Sequence, residues 1–489
     1  MERQSEDRRA DAVMKFRNLR EWIEAVRQIG ELREVKGAHW DSELGAIVDR
    51  YQRQMGLPAL LFDEIGDCAP GWRVLANTLT SMPRIALTLG LPLRSDARTI
   101  VTAWRKYARS YPVLPWREVT TGPVNEVIET GDRVDLLKFP APRWHEKDGG
   151  RYLGTGCLVI QRDPDSDWVN TGTYRVQLHD KQRAGLYISP GKHGRLIMEK
   201  YWAKKKPCPV AVSLGDDPVA FLVAGLEIPY GVSELEVAGG LRGKPLEVIK
   251  SEVTGLPIPA HSEAVIEGLV HPGEMLDEGP FGEWLGYYAA GKRPAPVIHV
   301  TAVRRRHDPI IVGNLPAKPP NDDTYYRGFL RAAEIWSELE AAGVPGISMV
   351  WCHEAGGSRM FTVIALKQMY GGHAKQAGFI ASQCHAGAYA NRWTVVVDDD
   401  IDPTNTNEVI WAMCSRVDAR EDVDVIAGAW GTPLDPMSYP PEQRNLNARL
   451  VINACRPFGR AFPEICAASP QFQSEIIARW RDRLPEIAD

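Results

Sequence analysis

The chain has 489 residues, enough for two or three domains, and its 44% hydrophobic and 25% charged content is that of an ordinary globular protein. With 58 basic and 63 acidic side chains the formal net charge is −5, so no global field favours nucleic acid or an anionic membrane. No run of about eighteen apolar residues appears, the first fifteen residues are charged rather than an apolar targeting core, and the eight cysteines (68, 157, 208, 352, 384, 414, 455 and 466) form no C-x-x-C pair; together these predict a reduced, cytoplasmic protein without a disulfide framework or structural zinc.

Phe16, Leu19, Trp22, Ile23, Val26 and Ile29 recur at near-helical spacing within 16–35, and Asn18 is positioned to cap that helix. A second helix is predicted over 42–54, short apolar strands over 59–62 and 74–77, and another helix after Pro83. These define an N-terminal α/β segment, 1–145. From 146 to 315 the pattern turns to strands: 157–161, 185–188, 210–213, 246–250, 264–270 and 297–304. Residues 173–179 alternate, with Thr173, Arg175, Gln177 and His179 on one face and Tyr174, Val176 and Leu178 on the other. Many short strands between glycine and proline turns predict a barrel-like β domain. The stiff stretch from Pro316 to Pro320 leads to a C-terminal α/β domain, 321–465. There an amphipathic helix marked by Phe329, Ala333, Ile335, Trp336 and Leu339 precedes strands at 361–366, 394–397 and 423–427, with helices at 374–383 and 407–417 between them. That alternation predicts a partly parallel sheet and an α/β (α+β) protein overall. Within 466–489, Ile476, Ile477, Trp480 and Leu484 form the apolar stripe of a terminal helix, to be buried on its own chain or on a neighbour.

Six polar residues carry the chemistry: Asn170, Arg175, His193, Glu234, Glu278 and Glu283. An amide oxygen, an imidazole and a carboxylate (Asn170, His193, Glu234) make a mixed donor set suited to Mn²⁺ or Mg²⁺ more than to zinc. Singly, His193 reads as a solvated loop histidine, Asn170 as a strand-edge residue and Glu234 as a surface charge. The surrounding Ser189-Pro190-Gly191-Lys192-His193-Gly194-Arg195 is rich in glycine and cations, which suits a phosphate. Arg175 offers a planar, permanently charged fork for a carboxylate. In Asp277-Glu278-Gly279-Pro280-Phe281-Gly282-Glu283, the carboxylates of Glu278 and Glu283 share a glycine- and proline-bent loop. Like charges in a low-dielectric cleft raise one pKa, giving a proton donor beside an ionised partner.

The wording of several segments resembles the UbiD family of prenylated-flavin-dependent decarboxylases. They are Asn170-Thr171-Gly172-Thr173-Tyr174-Arg175, Pro229-Tyr230-Gly231-Val232-Ser233-Glu234, Pro259-Ala260-His261-Ser262-Glu263-Ala264-Val265-Ile266-Glu267-Gly268, Glu278-Gly279-Pro280-Phe281-Gly282-Glu283, Tyr370-Gly371-Gly372-His373-Ala374-Lys375 and Val397-Asp398-Asp399-Asp400-Ile401-Asp402. The resemblance spans 150–450 and implies a split-barrel-like flavin-binding domain with flanking helices, joined to an α/β oligomerisation domain. It further implies prenylated FMN held through a divalent metal, usually manganese, on Asn170, His193 and Glu234. Potassium is implied near Glu234, Thr171 and the carbonyls of 223–226. Arg175, Glu278 and Glu283 become the catalytic network, with Glu283 as proton donor. Thr171, Thr173, Tyr174, Arg175, Lys192 and His385 join the cofactor set, His385 standing where some relatives carry a lysine. Asp277 departs from the proline common at its position.

Such a protein is expected to be a reversible, non-oxidative decarboxylase of an aromatic acid, hydroxybenzoate-like or heteroaromatic. It would depend on a flavin prenyltransferase for cofactor, form a homodimer or homohexamer, and engage neither nucleic acid nor membrane. Decarboxylation of an aromatic acyl-CoA or an α,β-unsaturated acid is the alternative, as is a plain FMN oxidoreductase on a split barrel. The oxidoreductase leaves Glu278, Arg175 and Glu283 without a task.

Overall fold

The computed structural model describes residues 16–107, 110–432, 434–437 and 446–484. The charged first fifteen residues and residues 485–489 lie outside them. The first helix, Leu19–Gln28, is capped as its sequence requires: the Asn18 carboxamide oxygen accepts the Glu21 N–H at 3.0 Å. It stops short of the periodic window, and the chain re-enters as the strand Leu32–Lys36. That strand joins Ala59–Asp63, Arg73–Ala76 and Ile310–Val312 in a mixed four-stranded sheet.

A nine-stranded antiparallel sheet forms the middle of the molecule. One end of its path is Tyr152–Gly154 and the other is Val169–Gly172. The second end runs directly into Arg175–Leu178, which pairs with Tyr152–Gly154 and Arg183–Tyr187. Two residues, Thr173 and Tyr174, therefore span the split where the sheet curls back on itself. The continuous strand predicted over 173–179 is in fact Arg175–Leu178, because the chain changes pairing partners at that split.

The hairpin Ala264–Glu278 and Arg293–Arg305 is also longer than its apolar segments predict. Beyond Val270 its arm is mostly exposed, so the backbone ladder holds it without any hydrophobic alternation to reveal it. The register breaks between Val270 and Met275, across Pro272 and Gly273.

Helix Asp322–Ala341 links the curled sheet to the C-terminal domain. Asn321 and Thr324 form a reciprocal capping box at its start. Buried Asp322 accepts the N–H groups of Thr78 and Leu79, both at 2.7 Å, and so locks the helix to the N-terminal segment. The C-terminal sheet has the order Ile347–Cys352, Phe361–Leu366, Trp393–Asp398, Leu446–Ala454, Val423–Trp430, with a parallel centre and antiparallel edges. The two strands Ile347–Cys352 and Leu446–Ala454 carried no clear sequence signal. One apolar core unites the first helix, helix Asp322–Ala341 and this sheet; a second fills the curled sheet around Phe62, Trp144, Val212 and Ile298.

None of the eight cysteines is in a disulfide. Among the described residues no helix is long and apolar enough to cross a membrane. Among the described residues, terminal helix Pro470–Trp480 buries none of its side chains, leaving Ile477, Trp480 and Leu484 exposed.

Candidate active site

Strand pairing sets the acid–base cluster. Glu278 ends its strand directly opposite Arg293, and Arg175 begins a strand opposite Tyr187. The Arg175 fork spreads between two carboxylates: Nη2 donates to Glu278 Oε2 at 3.1 Å and Nη1 to Glu283 Oε1 at 2.8 Å. Glu278 is fully buried and also accepts the Tyr152 hydroxyl at 3.2 Å, with Arg293 Nε 3.8 Å away. The Tyr187 ring lies against both guanidinium groups, 4.5 Å from Arg175 and 3.7 Å from Arg293. Gly279, at φ +84°, turns the chain sharply after Glu278 and brings Glu283 back within reach of Arg175. Burial pushes the Glu283 carboxyl up, and the nearby charges of Glu278 and Asp323 add to this, against the opposing pull of Arg175 and Arg293. Two acids on one arginine, one of them with a raised pKa, can hold and deliver a proton beside a positive fork.

The second cluster sits at the split. Glu234 opens helix Glu234–Arg242 and accepts the Thr171 N–H at 2.7 Å; His193 opens helix His193–Ala203. Asn170 is buried on the strand opposite Gln161. Gly172 must be small, since a Cβ there would lie 2.6 Å from the folded-back Tyr174 ring. The Tyr174 hydroxyl accepts the Gly194 N–H at 3.4 Å and lies within hydrogen-bonding reach of Asn170, tying the strand end to the start of helix His193–Ala203. His193 packs edge-on to Trp168 and Tyr230, at 5.3 and 5.5 Å between ring centroids. Burial lowers the His193 pKa, keeping its imidazole neutral, and raises Glu234 to about 8 against the opposing hydrogen bond from the Thr171 N–H. The Thr171 and Ser233 hydroxyls and Gln161 Oε1 are buried there without a hydrogen-bond partner among the described residues.

No three His, Cys, Asp or Glu side chains gather as a metal centre among the described residues. The donor set here reaches three only by counting the amide of Asn170. A buried, uncompensated carboxylate beside a neutral imidazole and an amide fits a hard divalent cation. Thr173 N–H donates to Ala224 O at 3.3 Å, which sets the last carbonyl of helix Pro218–Ala224 beside Thr173.

Next to Gly172, Thr173 and Tyr174 opens a cavity of about 240 Å³ that also reaches Lys192, Arg327 and Tyr389. Lys192 and His385 both point to Glu227, at 3.8 and 3.3 Å, but His385 is 77% exposed and borders a neighbouring cavity. His373 and Lys375 do not reach either cluster. His373 is buried, accepting the Met369 N–H at 3.2 Å, and Lys375 pairs with Asp424 at 3.1 Å. Sequence reasoning missed Tyr152, Tyr187 and Arg293. Arg293 was readable only from the hairpin register, and Tyr152 had no local signal.

The fold thus sets, directly after the split of the curled sheet, an arginine that bridges a pair of glutamates. Comparison with known proteins supplies the family. Three models of 3-octaprenyl-4-hydroxybenzoate carboxy-lyase match in order: the N-terminal domain at 23–104, the Rift-related domain at 117–319 and the C-terminal domain at 324–454. Pyrrole-2-carboxylic acid decarboxylase of Pseudomonas aeruginosa is 33% identical, covering 96% of this chain and 97% of its own. Phenolic acid decarboxylase of a Streptomyces species is 30% identical over 97% and 99%. Among solved structures, the UbiD-class enzyme HmfF from Pelotomaculum thermopropionicum in complex with FMN superposes with a TM-score of 0.84 at 29% identity, covering 95% of this chain and 100% of that one. Vanillic acid decarboxylase of Sedimentibacter hydroxybenzoicus gives 0.84 at 28% identity, over 97% and 99%. The chain belongs to the UbiD family and is a flavin-using carboxy-lyase.

Proposed function

We propose that this protein is a reversible, non-oxidative decarboxylase of an aromatic carboxylic acid that uses prenylated FMN and a divalent metal. The observation that carries the reading is the bridged trio Glu278–Arg175–Glu283, with one carboxyl raised by burial. Asn170, His193 and Glu234 would hold manganese or magnesium, with Thr171 and the carbonyls of 223–226 offered to potassium. Thr173, Tyr174 and Lys192, which line the cavity of about 240 Å³, would face the flavin phosphate. Bound prenylated FMN supplies an electron sink for the pair released when the C–CO₂ bond breaks.

The residues of this chain perform the rest. Arg175 orients the leaving carboxylate, and its permanent charge needs no proton adjustment. Buried Glu278 fixes the other arm of the fork by accepting from Arg175 Nη2. Glu283 delivers a proton to the ring carbon that has lost CO₂, and in the reverse direction takes one from it. The test is co-expression with a flavin prenyltransferase, followed by mass and absorption analysis of the bound cofactor, metal analysis, and CO₂ release from a panel of aromatic acids. Plain FMN from a strain with active prenyltransferase, with no CO₂ released, would overturn the reading.

A further inference from the structure

A glutamate that protonates a ring carbon must be recharged before the next turnover. The aromatic carboxylate loses CO₂, its carbon takes the Glu283 proton, and the carboxylate left behind takes one from solvent; nothing is oxidised or reduced. Arg175, 2.8 Å from Glu283 Oε1, keeps its charge permanently and releases no proton. A second cavity, of about 410 Å³, reaches Glu283 from the N-terminal segment. Among the described residues all its walls precede helix Asp322–Ala341, and it shares none of them with the cavity beside Tyr174. Arg175 is not among them either, so this is not the face that holds the substrate carboxylate. Its rim is exposed and polar: Lys147 and Lys318 stand there, and Asp49 pairs with Arg53 at 2.8 Å. Such a cavity takes up water, with room for roughly ten molecules at about 30 Å³ each.

Its inner wall is built around His145. The ring edge lies on Gly282, the residue before Glu283: a Cβ there would stand 3.3 Å from His145 Cδ2. Pro316 O, 3.0 Å from His145 Nε2, can only accept, so the neutral ring carries its proton on Nε2 and offers Nδ1 as an acceptor. Buried Asp148 fixes this arrangement. Its carboxylate accepts the His145 N–H and the Tyr288 hydroxyl, each at 3.0 Å, and the Gly282 N–H as well. One acceptor thereby holds together the histidine, the loop that carries Glu283, and Tyr288 on the exposed rim. The Glu283 N–H donates to Tyr287 O at 3.0 Å, closing the turn that follows. Imidazole is the side chain that most readily takes up and releases protons near neutral pH.

We infer that this cavity is the proton entrance of the enzyme and that His145 is its relay: Nδ1 takes a proton from solvent, passes it through the cavity water to the Glu283 carboxylate, and returns neutral. His145 acts through Glu283 and is a positioning residue, so the inference rests on the proton-donor reading of Glu283. Two variants test it. His145→Gln keeps an N–H for Pro316 O but no longer titrates. Ala46→Trp, at an exposed position of helix Glu43–Gln52, narrows the mouth of the cavity. Rapid quenching of the prenylated enzyme separates the first turnover, which uses the proton already on Glu283, from the steady state. In His145→Gln the first turnover should stay within about twofold of wild type while the steady-state rate falls about tenfold or more, and added imidazole should restore part of it. Independently of turnover, stopped-flow infrared follows the carboxyl C=O band of Glu283 as protein loaded with plain FMN is mixed into D₂O. The band is assigned by its absence in Glu283→Gln, and both variants should slow its exchange about tenfold or more. Equal exchange in wild type, His145→Gln and Ala46→Trp overturns the proposal, and so does a first turnover slowed as much as the steady state. If the prenylated wild type releases no CO₂ from any aromatic acid, the activity falls, and the infrared exchange by itself upholds or overturns the proton entrance.

Discussion

Replacing Glu283 by glutamine removes one proton and one charge while keeping the shape. The carbonyl of the new side chain can still accept from Arg175 Nη1, now 2.8 Å from Glu283 Oε1. A charge-assisted bond becomes a neutral one, and since the former is roughly twice as strong, the fold should lose only about 1 kcal/mol. The rate is another matter. A positioned general acid contributes roughly 10²–10⁴-fold, or about 3–5.5 kcal/mol of barrier, and Glu283→Gln should lose that factor in kcat. Flavin content should be unchanged, because no residue of the Asn170–Glu234 cluster is touched. The assay is CO₂ release together with deuterium uptake from D₂O into the aromatic product, with flavin per chain measured on the same sample. The pH profile adds a sign. Burial raises the Glu283 pKa, and the required form is the protonated acid, so kcat should be highest at low pH and fall as pH rises through that raised value. The residual rate of the glutamine variant should not follow that fall. Near-normal decarboxylation, or flavin lost along with activity, would refute the proton-donor role.

Glu234→Gln should cut flavin retention by about tenfold or more and abolish its dependence on metal, read as flavin per chain after dialysis with and without chelator; unchanged, chelator-sensitive retention would exclude Glu234 as a ligand. Tyr152→Phe removes a donor from buried Glu278 and should destabilise by about 1–2 kcal/mol in urea melts, with a several-fold lower kcat. An unaltered melt and rate would show that Glu278 is held by Arg175 alone. Asp216 is fully buried and accepts from Ser213 and Ser262, and burial pushes its pKa from 3.8 to about 6. The folded state therefore binds the proton more tightly than the unfolded one. The corresponding stability is present below about pH 4 and lost as pH rises through about 6, on the order of 3 kcal/mol in total. Asp216→Asn should flatten that pH dependence between pH 4 and 8, and parallel stability curves for the two proteins would contradict it.

Local order was legible wherever a segment answers to its own side chains. Asn18 announces a cap, 361–366 an apolar strand, and the Phe329–Leu339 stripe a helix, because burial of one face and satisfaction of helix ends are decided within a few residues. The polar set from Asn170 to Glu283 was legible too, since these residues sit in short motifs whose glycines and prolines force tight turns. Other features depend on residues far apart in the chain. The split at Thr173 and Tyr174 exists because the strand changes neighbours there, and alternation alone reads straight through it. Glu278 lies opposite Arg293 only through the register of a hairpin whose outer arm has no apolar face. The Tyr152 hydroxyl reaches Glu278 across 126 residues, and Arg359 finds Trp284 and Tyr389 only once the C-terminal sheet packs on the curled one. Sequence periodicity specifies which face of an element is buried. What that face meets, and which charges are thereby paired, is set by the packing of whole sheets and helices, and this decided which arginine grips two glutamates.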